Sequence, residues 1–106
     1  MARSQRNASA GRDSARAGHN LDIPLLLRLY EQMQLLRRFE SVAQIACRKG
    51  ETPGFLHLYI GEEATAVGAC AHLRPTDWVT STHRGHGHAL AKGMHPNILM
   101  AELFGK

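Results

Sequence analysis

Apolar side chains recur at three- and four-residue steps from Ile23 to Lys49: Leu25, Leu26, Leu29, Met33, Leu36, Phe39, Val42, Ala43 and Ala46. That spacing predicts one face of a long amphipathic helix. Asp22 suits its N-cap, Pro24 its first turn and Gly50 its stop. Arg28, Gln32, Arg37, Arg38 and Glu40 are expected on the wetter side. Such a helix spans roughly 40 Å. A compact body of about 85 residues has a diameter of about 30 Å. The apolar face is therefore expected to extend past its own domain and to meet something outside this chain.

Beyond Gly50 the pattern breaks into shorter pieces. Gly50 to Gly54 is a turn, and Phe55 to Tyr59 is a short apolar stretch, strand or loop. A second helix is expected from near Gly61, with Glu62 and Glu63 complementing the dipole of its first turn. Its body is small: Ala64, Ala66, Gly68, Ala69, Cys70 and Ala71. Arg74 to Asp77 predicts a turn, and Trp78 to Thr82, rich in β-formers, a strand. His83 to His88 opens a short helix that ends by Gly93, and a last helix runs from Pro96 to about Phe104.

Composition divides the chain. Residues 1–20 hold no large apolar side chain after Met1, so they cannot bury enough surface to offset their ordering entropy. They are expected to form a disordered basic tail, with the folded domain at 21–106. Four arginines against Asp13 put +3 of the net charge of +4 in that tail. The nearly neutral remainder argues against a nucleic-acid surface. The sequence shows no secretory core and no membrane span. Cys47 and Cys70 are the only cysteines and form no C-x-x-C pair, which fits free thiols in a reducing cytoplasm.

The segment from Val79 to Ala91 carries the most chemistry. A strand, a glycine-containing loop and a helix start would together offer backbone N–H groups to a phosphate. Arg84 lies in the loop, and its planar fork matches phosphate oxygens two at a time. Gly85 and Gly87 would admit a ligand without a Cβ clash. The plainer alternative is an ordinary loop with Arg84 in a surface ion pair. His83, His86 and His88 also raise a zinc reading, but no nearby carboxylate or cysteine completes a ligand set, so no metal site is assigned. His57, between Leu56 and Leu58, reads from its position alone as a core histidine.

The stretch Gly54-Phe55-Leu56-His57-Leu58-Tyr59-Ile60-Gly61-Glu62-Glu63-Ala64 resembles the G-F-x-H-x-Y-x-G-x-E-A motif of thiamine-diphosphate-dependent dehydrogenases. The similarity is to the alpha subunit of their E1 component. Leu35 to Glu40 upstream, and Asp77 and Thr82 to Gly87 downstream, fall in the same register. The resemblance covers about 21–106. Ser81 to His88 is most similar to the acetoin dehydrogenase branch, because pyruvate and branched-chain relatives usually carry Tyr-Arg where this chain has His83-Arg84.

The resemblance implies a mainly helical N-terminal portion of an α/β thiamine-diphosphate-binding domain. It implies that Arg84 and His83 bind the cofactor diphosphate, and that His57 and His86 lie beside the reacting centre as catalytic proton donors or orienting groups. Glu63 would be structural, at the helix start and a subunit contact. The family's magnesium motif, G-D-G followed by Asn, is absent, so the Mg²⁺ ligands are expected outside this chain, as is the glutamate that activates the cofactor. Implied partners are a beta subunit and a second alpha subunit in an α2β2 assembly, and a lipoyl-bearing E2 component. The implied reaction is oxidative cleavage of acetoin, or decarboxylation of pyruvate or another 2-oxo acid, with acyl transfer to the lipoyl carrier. The chain is expected to be an N-terminal piece, inactive alone. Two non-enzymatic readings compete: a helical interaction module docking through the long helix, and a metal-binding domain built on the histidine loop.

Overall fold

A computed structural model describes residues 21–106. The expected basic tail at 1–20 lies outside them. The order is α1 (Ile23–Arg48), α2 (Glu63–Cys70), α3 (His86–Ala91) and α4 (Pro96–Leu103), and no strand occurs among the described residues.

The helix α1 is unbroken over 26 residues, about 39 Å at 1.5 Å per residue. It begins as expected: Asp22 Oδ1 accepts the Leu25 N–H at 3.0 Å, and Pro24 fills a first-turn position whose N–H has no partner. It ends at Gly50, whose φ of +73° only glycine adopts cheaply. The Glu51 N–H then reaches back to the Ala46 carbonyl, and the Gly50 N–H to that of Cys47. The helix α3 stops the same way at Gly93, with Met94 bonding back to Ala89.

The core gathers where the helices meet. Leu36, Phe39 and Ala43 of α1 pack with Tyr59, Ala66 and Val67 of α2, Leu90 of α3 and Leu99 of α4. Only the C-terminal half of α1 is buried. Leu25, Leu26, Leu27 and Tyr30 are exposed, so the helix does run past the body that covers it. Val42, expected on the buried face, is exposed as well. Glu40 is the larger correction. Expected on the wet side, it is fully buried, because α3 lies across that side of α1 and brings a polar partner to it.

The Trp78–Thr82 segment is not a strand. β-propensity needs a neighbouring strand to be realised, and none is present among the described residues. Trp78 is 98% exposed. The turn before it forms as expected: Asp77 Oδ2 accepts the Arg74 N–H at 2.8 Å, and Lys92 Nζ of α3's C-cap donates to the carbonyls of Arg74 and Pro75. The segment Phe55–Tyr59 is a loop rather than a strand. Cys47 and Cys70 are free thiols, the latter buried.

Glu63 ties α2 to α1. Its carboxylate takes Arg37 Nε and Nη2 in a two-point pair and also accepts the Gly61 N–H. The Arg37 hydrogen bond, helped by that backbone N–H, outweighs burial and lowers the Glu63 pKa to about 2. A carboxyl depressed in the folded state stabilises the fold above its unfolded pKa, and that contribution is lost as pH falls toward the folded one. Chemical denaturation is expected to show stability falling between about pH 4.5 and pH 2. Arg37→Ala should flatten that slope and lower stability at neutral pH, since a buried carboxylate loses its main partner.

Candidate functional site

Three segments converge on α3. The loop Phe55–Tyr59 passes one side of it, the loop Ser81–Arg84 leads into it, and α1 lies beneath. Tyr59 is the pivot of the contact. Its ring is buried, and a Cβ built on Gly87 would lie 2.3 Å from Tyr59 Cδ1. The open space expected at Gly87 for a ligand is thus filled by an aromatic ring of the protein itself. A Cβ at Gly85 would meet only ordinary contacts, so that glycine, unlike Gly87, is not forced by sterics.

The histidines flanking Gly87 face different partners. His86 Nδ1 lies 2.9 Å from Oε1 of the buried Glu40, and its ring meets Phe39 edge-on, with centroids 6.2 Å apart. His88 bridges two loops: Nδ1 is 2.6 Å from Ser81 Oγ and Nε2 is 3.2 Å from the Tyr59 hydroxyl. Burial, aided by Glu62 and Glu63, raises the Tyr59 pKa, so its phenol stays protonated and can donate to His88.

The other two nominated imidazoles meet each other. His57 and His83 pack edge to face with centroids 4.8 Å apart and an interplanar angle of 87°. Both are exposed, so His57 is no core histidine. Arg84 follows His83, with its backbone N–H on Thr82 Oγ1 and its Nη1 4.0 Å from Glu62 Oε1. Both side chains of that pair are about half exposed, and an ion pair so long and so wet holds the guanidinium weakly. The structure therefore joins the His57 and His83 rings at one exposed place, carries Arg84 next to His83 in the same loop with its guanidinium toward Glu62, and holds His86 against α1. No hydrogen bond or ring contact joins His86 to the other three.

The expected phosphate cradle is only partly present. The strand leading into the loop is missing, and α3 has six residues with no side-chain cap at Gly85. The donor set that remains, one loosely held guanidinium beside two exposed imidazoles, still suits a phosphate-bearing ligand. No group of three or more His, Cys, Asp or Glu side chains that could hold a metal ion occurs among the described residues. A groove of about 570 Å³ runs along α3 between Pro75, Trp78, Ser81, His88 and Lys92. None of the four nominated side chains lines it.

Sequence reasoning missed Glu40, Tyr59, Ser81 and His88. Glu40 carried a signal: it falls between Leu36, Phe39 and Ala43, inside the apolar periodicity. The Ser81–His88–Tyr59 bridge carried none, because its members are 29 residues apart at the extremes and meet only when α3 docks.

The family model for the dehydrogenase E1 component matches residues 31–106. The chain is 50% identical, over 91 residues, to the alpha subunit of acetoin:2,6-dichlorophenolindophenol oxidoreductase of Bacillus subtilis, covering 86% of this chain and 27% of that protein. The corresponding subunit of Cupriavidus necator is 46% identical over 99 residues, covering 93% of this chain and 29% of its own length. The alpha subunit of the pyruvate dehydrogenase E1 component of Porphyra purpurea is 48% identical over 87 residues, covering 82% and 25%. No solved structure matches. The chain belongs to the dehydrogenase E1 component family, and it spans under a third of the length of the curated relatives it matches.

The Tyr59 contact yields a sharp expectation. Gly87→Ala removes a helix-interior glycine, worth about 0.5–1 kcal/mol in favour of the variant. It also drives a methyl into a buried ring, which costs about 1–3 kcal/mol or more. Overpacking should win, so a urea titration should show net destabilisation, and the His88–Tyr59 contact should loosen.

Proposed function

We propose that this chain is part of the alpha subunit of a thiamine-diphosphate-dependent dehydrogenase E1 component whose reaction is the oxidative cleavage of acetoin. The observation that carries this reading is the exposed cluster of His57, His83 and Arg84 in a chain of this family. Two relatives named for acetoin support the substrate. The pyruvate reading stays open on one observation, the 48% identity to a pyruvate dehydrogenase alpha subunit.

In this proposal Arg84 releases Glu62 and pairs with the cofactor diphosphate, and His83 adds a ring N–H. When bound, the cofactor supplies the stabilisation of carbanion character that breaking a bond next to a carbonyl requires. His57, held edge-on by His83, orients groups at the reacting centre and passes a proton there. His86 serves the same centre from the α1 side. The acyl group leaves to a lipoyl-bearing E2 component. The magnesium ligands and the group that activates the cofactor come from outside residues 21–106. A beta subunit and a second alpha subunit complete an α2β2 assembly, and the exposed leucines of α1 give such a partner an apolar face to cover. The folded unit is 21–106 and residues 1–20 are a basic tail. Its compartment is the cytoplasm, in keeping with two free thiols.

The test combines the full-length alpha subunit that contains this segment with a beta subunit, Mg²⁺ and thiamine diphosphate, then offers acetoin and pyruvate separately with a dye as electron acceptor. Acetoin-dependent dye reduction is expected. Turnover of pyruvate alone would move the assignment to the second reading, and failure to bind cofactor would remove both. Arg84→Ala should weaken cofactor binding roughly 10- to 100-fold by calorimetry, the worth of one charge-assisted phosphate contact. Arg84→Lys should recover only part of it, because the fork is lost. His83→Tyr should keep affinity within about tenfold, since an aromatic hydroxyl can replace the ring N–H as donor.

A further inference from the structure

Glu40 is the most deeply buried charged side chain among the described residues, at 0% exposure. Burying a carboxylate is costly unless a donor meets it. Its Oε1 meets His86 Nδ1 at 2.9 Å, while its Oε2 is buried and meets no protein donor. Its neighbour Phe39 presents its ring edge-on to the same imidazole. Two consecutive residues of α1 thus grip one ring, the first by its face geometry and the second by a hydrogen bond. The grip is not needed to hold α3 in place by itself, because α3 also packs through Gly87 on Tyr59 and through Leu90 in the core. A polar bond in this position is an expensive way to add packing. It does something apolar contact cannot, which is to choose between the two ring nitrogens.

The choice follows from the hydrogen bond. A carboxylate oxygen can only accept, so the ring nitrogen that meets it must be the one carrying hydrogen. The Nδ1 that faces Glu40 Oε1 is therefore the N–H of the ring, and the carboxylate accepts it. Among the described residues Nε2 meets no hydrogen-bond partner, and the His86 side chain keeps 14% of its surface exposed. We propose that Glu40 is the positioning residue of His86: it fixes the ring as the Nδ1–H tautomer and turns Nε2 outward as the nitrogen that meets substrate. A carboxylate behind an imidazole is a common way to set tautomer and orientation. The role of the outward Nε2 rests on the E1 alpha reading above; the tautomer does not.

The experiment separates the two. In the 15N-labelled 106-residue chain, long-range nitrogen–proton correlation spectra report which ring nitrogen of neutral His86 carries the proton, with its signals assigned by their loss in His86→Gln. Wild type should show Nδ1–H. In Glu40→Gln, whose amide can offer either an oxygen or an NH₂ to the ring, Nε2–H should appear in substantial population. Wild type in the Nε2–H form overturns the proposal, and this arm decides it even if Glu40→Gln fails to fold. In the complex of the full-length alpha subunit with the beta subunit, Mg²⁺ and thiamine diphosphate, Glu40→Gln should lower kcat at least about tenfold with the cofactor Kd within about twofold. A folded Glu40→Gln with wild-type kcat overturns it too. A wild-type complex that turns over neither acetoin nor pyruvate would overturn the assigned function and the role of Nε2, and the spectra would still decide whether Glu40 sets the tautomer.

Discussion

The ring of Tyr59 occupies the space that any side chain at residue 87 would need. That single steric fact organises the polar half of the molecule. Because residue 87 is glycine, α3 can lie directly on the loop that carries His57. Because α3 lies there, the residues on either side of Gly87 are sent to different partners, His86 to α1 and His88 to the bridge between Ser81 and Tyr59. The loop holding His83 and Arg84 is then anchored at both ends, by Ser81 on one side and by α3 on the other. A side chain of one more carbon would lift α3 and release every one of these contacts together, which is how close packing transmits a local change.

Two carboxylates divide the remaining work along α1. Glu63 is itself buried, but it is met at two points by a guanidinium that is half exposed, so its partner charge stays near solvent. Glu40 is met by an imidazole with no solvent at the carboxylate, where holding it is dear. Proteins seldom keep a buried carboxylate for stability alone, since an apolar residue of similar volume does that at lower cost. The second arrangement is therefore the one that points to chemistry.

Much of the fold could be read along the chain. The long helix, its Asp22 cap and its Gly50 stop were legible because capping and glycine stops are local: each involves residues three to five apart. The turn at Arg74–Asp77 was legible for the same reason. The expected strand at Trp78–Thr82 failed because a strand is a relation between two segments, and propensity describes only one. Gly87 was rightly marked as a close-approach position, but the approaching group is Tyr59, 28 residues earlier, rather than a ligand.

The sequence by itself determined the helices of this protein, their ends, the register of its motifs and hence its family. Those depend on neighbours in the chain, or on residue types at fixed spacing. Only the tertiary structure decided which polar residues are inside. Glu40 and Arg37 sit on the same helix, and both were expected in water. One is fully buried and the other half exposed because α3 crosses α1 at Glu40 and not at Arg37. The path of α3 is set by Tyr59, Gly87 and Leu90, residues far from α1 in sequence. Burial is a property of the whole packed body: the periodicity of α1 carried a signal for Glu40, but only the crossing of α3 decided it.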